Sequence, residues 1–219
     1  RQALSGRTDE LEGEADLDVG LPAEYLRSLE EVQIVAAGTS YHAGLYAAHL
    51  VEEHADVRAT THVVSEYGFT GGRDPWRTLV IAVTQSGETA DTLSAVRAAN
   101  RAGARTLAVT NTVGSTVTRE TDDTIYIRAG PEIGVAATKT FASQVATLAL
   151  LTVYLGRTRG TLGSDAAASV LSDLHGLPGA VQQALDDEAV VRGIAEEYAD
   201  DDAFFFVGKR LGHPVALEG

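Results

Sequence analysis

Thr84, Gln85, Ser86, Gly87, Glu88 and Thr89 stand in a row, after the apolar run Thr78–Val83 and at the start of a helix-patterned stretch, Thr89–Ala102. Four of the six carry a hydroxyl or amide side chain, and Gly87 allows close approach of the backbone to a ligand. The first turn of a helix presents unpaired N–H groups and a partial positive charge. A phosphate ester there would gain hydrogen bonds from Ser86, Thr89 and the backbone without any Lys or Arg. The same residues also suit an ordinary capped turn, with Thr84 or Ser86 as N-cap. Both readings stand at this point. Glu88 fits badly beside a phosphate and is expected to face away, toward a helix dipole.

Gly38-Thr39-Ser40 ends an earlier apolar run in the same manner. Two hydroxyl-rich turns could face one pocket, one gripping a phosphate and the other sugar hydroxyls. Neither is a nucleotide loop, since G-x-G-x-x-G and G-x-x-x-x-G-K-[ST] are both missing. A serine-hydrolase elbow is missing too. His42, His49 and His54 lack an acidic cluster of metal-ligand spacing, so they read as solvated or capping residues and no metal is expected. Lys139 opens a long helix and is expected to pair with Glu88 or Glu132, or to line the pocket.

The elements that must hold these turns follow a strand–helix rhythm. Val32–Ala37, Val57–Val64, Thr78–Val83, Thr106–Thr110 and Thr124–Ile127 read as strands. Pro22–Glu30, Thr39–Glu53, Thr89–Ala102 and Lys139–Tyr154 read as helices. Continuous apolar strands alternating with helices imply an α/β domain, a doubly wound parallel sheet flanked by helices. Ligands in such folds sit beyond the carboxyl ends of the strands, here just after Ala37, Val83 and Ile127. Residues 1–21 are expected to be an acidic, solvated lead-in, 22–160 the complete domain, and 161–219 connecting helices and the start of a second copy. In that tail, Ser164–Tyr198 is expected to be helical with a break at Gly176–Gly179. Phe204–Val207 is expected to be a strand, followed by a glycine and a helix start like those after Val35–Ala37.

The chain of 219 residues carries 31 acidic and 17 basic side chains, a net charge of −14. So acidic a surface argues against nucleic acid or anionic lipid as partner. It suits a high-salt interior, where charges are strongly screened; Lys139 and Lys209 are the only lysines among the basic residues. The absence of Cys excludes disulfides and thiolate chemistry. Phe141–Leu155, interrupted by Ser143, Gln144, Thr147 and Thr152, is too short and polar for a membrane span. No leader pattern opens the chain, and the cytoplasm is the default compartment. Without a Met, the sequence reads as a piece of a longer protein.

Five segments carry a resemblance: Ala37-Gly38-Thr39-Ser40-Tyr41, Ser65-Glu66-Tyr67, Gln85-Ser86-Gly87-Glu88-Thr89-Ala90-Asp91-Thr92-Leu93, Glu132-Ile133-Gly134-Val135-Ala136-Ala137-Thr138-Lys139 and Pro214-Val215-Ala216-Leu217-Glu218-Gly219. In this order and spacing the chain resembles the isomerase part of the glutamine–fructose-6-phosphate aminotransferase family, built from two sugar isomerase (SIS) domains. Q-S-G-E-T marks SIS domains generally, whereas E-I-G-V-A-x-T-K is more particular to the aminotransferases. The resemblance implies that Ser40, Thr84, Gln85, Ser86, Gly87 and Thr89 hold a phosphate and that Thr39 and Val135 contact the sugar. It implies Glu218 in a supporting role, with the acid–base carboxylate beyond Gly219. The implied reaction joins ammonia, released by a glutaminase domain of the same parent chain, to fructose 6-phosphate, giving glucosamine 6-phosphate without a cofactor. The implied assembly is a homodimer, and the 219 residues alone are expected to be inactive. Ala37 stands where the family has Cys, and Gly68 where it usually has Arg. Two other readings stay open: an amino-sugar-phosphate deaminase–isomerase with SIS domains, and a non-catalytic SIS sugar-phosphate sensor.

Overall fold

A computed structural model describes residues 1–68, 74–134 and 137–219. After a small antiparallel hairpin, β1 (Thr8–Asp9) and β2 (Glu14–Ala15), and a short helix α1 (Ala23–Ser28), the chain builds a five-stranded parallel sheet. Its strands are β3 (Glu31–Ala36), β4 (Arg58–Val63), β5 (Thr78–Thr84), β6 (Arg105–Thr110) and β7 (Asp123–Tyr126), in spatial order β4-β3-β5-β6-β7. Helices α2 (Thr39–Ala55), α3 (Ala90–Ala102), α4 (Thr116–Glu120) and α5 (Lys139–Arg159) cover the two faces. The expected α/β doubly wound architecture is the observed one.

The strands read as continuous apolar runs because both faces are buried. Side chains alternate across the sheet. Ile34, Leu79, Ile81 and Leu107 pack with Leu148, Leu150 and Leu151 in one core. Val35, Val80, Ala82 and Ala108 pack with Leu93, Val96 and Val117 in the other. The register sets Ile34 beside Ile81 and Ala82 beside Ala108, so the cores grow from adjacent strands.

Arg159, the last residue of α5, fastens the rim of the domain. Its guanidinium donates to the carbonyls of Leu26 (2.8 Å) and Leu29 (3.1 Å) near the end of α1, and of Ala55 (2.7 Å) and Asp56 (3.2 Å) at the end of α2. These carbonyls lie where helix termini leave such groups short of internal donors, although that of Leu26 also accepts from the Leu29 N–H. Arg159→Met keeps much of the stem and removes the donors. It is expected to lower unfolding free energy by about 2 kcal/mol, read from urea midpoints at unchanged slope.

Three local expectations are corrected. The acidic lead-in is not a solvated linker: Leu4, Ala15, Leu17 and Leu21 are buried in the main core. Glu14, Asp16 and Asp18 are exposed while Ala15 and Leu17 between them point inward, a period-two alternation that the charge total conceals. Buried Arg7 donates to the Tyr126 carbonyl at 2.7 Å and ties the segment to the end of β7.

The tail helix does not break at Gly176–Gly179. α6 (Ser164–Asp186) continues through Pro178, and the interruption falls at Asp187, before α7 (Glu188–Glu197). Pro178 forfeits one N–H donor, a loss the helix tolerates because most of this stretch is exposed rather than buried. Phe204–Val207 forms no strand, and its side chains are exposed. A strand needs a neighbour for its ladder, and none of the sheet strands lies beside it among the described residues. The helix start expected after it does form, as α8 (Gly212–Glu218). No described helix is long and apolar enough to cross a membrane.

Candidate functional site

The chain runs from β3 outward to β4, then returns across β3 to β5. The carboxyl ends of β3 and β5 therefore flank the point where the winding reverses, the usual ligand crevice of an open parallel sheet. A cavity of about 350 Å³ opens there, lined by Thr39, Ser40, Thr84, Gln85, Ser86 and Thr89 with apolar and small residues between them. The two hydroxyl-rich turns thus face one pocket, as the sequence suggests for the ends of the first two central strands. The end of β7, near Ile127, does not border it. Val135 lies outside the described residues. A larger cavity of about 560 Å³ is lined by Asp16, Asp18, Asp122 and Asp123 with Arg105. Four carboxylates around one guanidinium make it a poor place for an anion.

The loop after β5 is braced from within. The Gly87 N–H donates to Thr84 Oγ1 (3.2 Å) and the Glu88 N–H to Ser86 Oγ (3.3 Å). The Asn111 N–H donates to the Gln85 carbonyl at 3.2 Å. Thr89 is the N-cap of α3, yet its side chain makes no capping hydrogen bond. Capping and ligand binding are therefore compatible here: Thr84 and Ser86 accept from the backbone and keep their own protons to donate. Gly87 does not line the cavity. Its φ is +70°, and its open side faces Ser115 and Val117 rather than a ligand.

Glu88 turns away, as expected, but caps α4 instead of its own helix. Its carboxylate accepts from the Thr116 N–H and the Thr116 hydroxyl, both at 2.7 Å. The Thr116 side chain first, then the Thr116 backbone, pull its pKa below the ordinary glutamate value. A depressed folded-state pKa contributes stability above the unfolded value that is lost as pH falls through the folded one. Thermal midpoints of Glu88→Gln and the unaltered chain are accordingly expected to differ at pH 7 and to converge on acidification below the folded pKa. Glu132 accepts from the N–H groups of Thr140 (3.2 Å) and Thr138 (3.3 Å), and these bonds, with the nearby Lys139 charge, hold its carboxyl low. The ion pair expected for Lys139 with Glu88 or Glu132 is not formed among the described residues; its charge acts on Glu132 only from a distance.

Two residues of the site carry no local signal of that role in the sequence. Gln144, fully buried on α5, donates its amide to Ser40 Oγ at 2.8 Å. His42, expected to be solvated or capping, is instead partly buried and meets Glu218 of α8, with 2.6 Å between Nδ1 and Oε2. The other Glu218 oxygen accepts from Thr39 Oγ1 at 2.6 Å. Glu218 thus reaches the rim of the pocket across the long separation between α2 and α8.

The SIS-domain family model matches residues 25–154. The chain belongs to the SIS-domain family. Over 218 residues it is 61% identical to glutamine–fructose-6-phosphate aminotransferase (isomerizing) of Halobacterium salinarum, covering 100% of this chain and 36% of that protein. The protein of the same name from Methanosarcina mazei is 46% identical over 217 residues, covering 99% of this chain and 35% of that one. The chain therefore spans about a third of the length of these curated relatives. The C-terminal domain of glucosamine-fructose-6-phosphate aminotransferase from Francisella tularensis superimposes with a TM-score of 0.90 at 30% identity, over 99% of this chain and 60% of that one. The Q-S-G-E-T run is the braced loop beside the cavity of the SIS domain, and the P-x-A-L-E-G run, outside the matched residues, is the helix that carries Glu218.

Proposed function

We propose that this SIS domain is the sugar-phosphate-binding isomerase part of a glutamine–fructose-6-phosphate aminotransferase, making glucosamine 6-phosphate from fructose 6-phosphate and ammonia released from glutamine. The observation that carries the reading is the cavity at the reversal of the sheet, where Ser40 from the first turn of α2 meets Thr84, Gln85, Ser86 and Thr89 from the segment that joins β5 to α3. A phosphate dianion there is stabilised by hydroxyl, amide and backbone donors and by the two helix dipoles. Such a cradle loses little in high salt, unlike surface ion pairs. That agrees with the net charge of −14, which supports a cytoplasm of high ionic strength.

Thr39 sits beside the sugar in this reading, and Val135 contacts it as the resemblance implies. Both oxygens of Glu218 already serve Thr39 and His42. Glu218 is thus a supporting group, and the proton shift between C1 and C2 falls to a carboxylate that the resemblance places beyond Gly219. The glutaminase domain of the parent chain, a second SIS domain beginning after residue 160 and a homodimer belong to the same proposal.

Titration calorimetry in concentrated salt tests it. Glucosamine 6-phosphate is expected to bind and free glucosamine to give no heat. Equal heats for the two, or heat for neither, would remove the phosphate cradle from this site.

A further inference from the structure

Two adjacent hydroxyls at the pocket, Thr39 and Ser40, are wired with opposite polarity. Thr39 Oγ1 lies 2.6 Å from Glu218 Oε1, and an ionised carboxylate only accepts. The single Thr39 proton is therefore committed to Glu218, and toward the cavity Thr39 offers lone pairs alone. Glu218 is held in place by His42, whose Nδ1 must carry a proton to bond Oε2 at 2.6 Å.

Ser40 is the reverse. Its oxygen accepts from Gln144 Nε2 at 2.8 Å, which leaves its own proton free. Turning the Gln144 amide over would give Oε1 the Ser40 hydroxyl but strand the N–H donors of Nε2. As it stands, the arrangement leaves Oε1 and one of the two Nε2 N–H groups without a partner among the described residues, whereas the turned amide would leave both N–H donors unpaired. Thr84 and Ser86 follow Ser40, since each accepts from a backbone N–H and keeps its proton.

We infer that Gln144 and the His42–Glu218 pair are positioning residues that set the hydrogen-bond polarity of the pocket. They make Ser40 a donor for phosphate oxygen and Thr39 an acceptor for a sugar O–H or an ammonium N–H. The inference rests on the sugar-phosphate reading above and adds a direction to it. The ligand lies with its phosphate toward Ser40 and Ser86 and a donor group at Thr39. A ligand with donors at that end, an amino sugar phosphate, is favoured over one without them.

The test compares glucosamine 6-phosphate with inorganic phosphate as ligands of the 219-residue chain, by calorimetry or competition. Ser40→Ala should weaken both by similar factors. Thr39→Val, which keeps shape and removes the acceptor, should weaken glucosamine 6-phosphate roughly ten-fold more than inorganic phosphate. His42→Ala should show the same selective loss to a smaller extent. Gln144→Met removes the donor to Ser40 but leaves its proton free, so affinity should fall only about three-fold. Gln144→Glu replaces that donor with an acceptor that captures the Ser40 proton, and should cost at least ten-fold more than Gln144→Met. If the carboxylate buried by Gln144→Glu prevents folding, seen by circular dichroism, the Thr39 and His42 comparisons still decide. Equal losses for both ligands in Thr39→Val and His42→Ala would overturn the polarity while leaving the phosphate cradle standing. Failure of the unaltered chain to bind either ligand would overturn the functional reading and the polarity with it.

Discussion

Ser86→Ala combined with Thr89→Ala is expected to abolish detectable glucosamine 6-phosphate binding while the domain stays folded. Both side chains border the cavity, and both have a proton to give. Ser86 accepts from the Glu88 N–H, and Thr89 makes no capping bond. A hydrogen bond to a charged group contributes about 1.5–3 kcal/mol, so losing two should weaken binding on the order of a hundred-fold or more. The folded state loses little in return. Only the Glu88 N–H forfeits a partner, and it sits on an exposed residue where water replaces it. The thermal midpoint should therefore fall by only a few degrees. Calorimetry and circular dichroism on one preparation check both halves. An affinity unchanged within about three-fold would place the phosphate elsewhere, because the cradle cannot hold its ligand without these two hydroxyls.

How far the sequence carries depends on the range of the interactions involved. Thr78–Thr84 is apolar at almost every position because both sheet faces are covered, so its burial is visible locally. The Thr84–Thr89 loop is equally local: strand, hydroxyls, glycine and helix lie within one stretch. The switch point follows from general rules of α/β winding once the elements are placed. Gln144 is invisible as a site residue because an amide in an apolar helix has no partner in its own sequence neighbourhood. Ser40 reaches it only after α2 packs on α5. His42 escapes for the same reason, its carboxylate arriving from the far end of the chain. The lead-in misleads through its composition: counting its acids hides that alternate residues, Ala15 and Leu17, are apolar and point to the core. Phe204–Val207 shows the opposite error, where local propensity favours a strand that no partner completes.

Gly87→Ala is expected to be the most damaging single-atom change in the loop, for a reason separable from ligand chemistry. With φ at +70°, any side chain there costs about 1–2 kcal/mol in backbone strain. A Cβ would also approach Ser115 Cβ to 2.7 Å and Val117 Cγ1 to 2.8 Å. Rotating the Ser115 hydroxyl away relieves neither contact, since Ser115 Cβ is fixed by the backbone and Val117 is fully buried in the core beneath α3. Overpacking of this kind adds roughly 1–3 kcal/mol. The total, about 3 kcal/mol, corresponds to a fall of roughly 6–12 °C in a domain of this size. Gly114→Ala supplies the comparison. Its φ is +71°, but a Cβ there meets nothing within 4 Å, so it suffers backbone strain alone. Equal losses in the two variants would show that packing against Ser115 and Val117 is unimportant. The clash also has a functional consequence, because the loop can relieve it only by lifting away from α4. The Gly87 carbonyl, which accepts from the Val117 N–H at 3.0 Å, would move with it, and so would Ser86. Gly87→Ala should therefore weaken glucosamine 6-phosphate binding as well as stability, whereas Gly114→Ala should lower the melting temperature modestly and leave the cradle where it is.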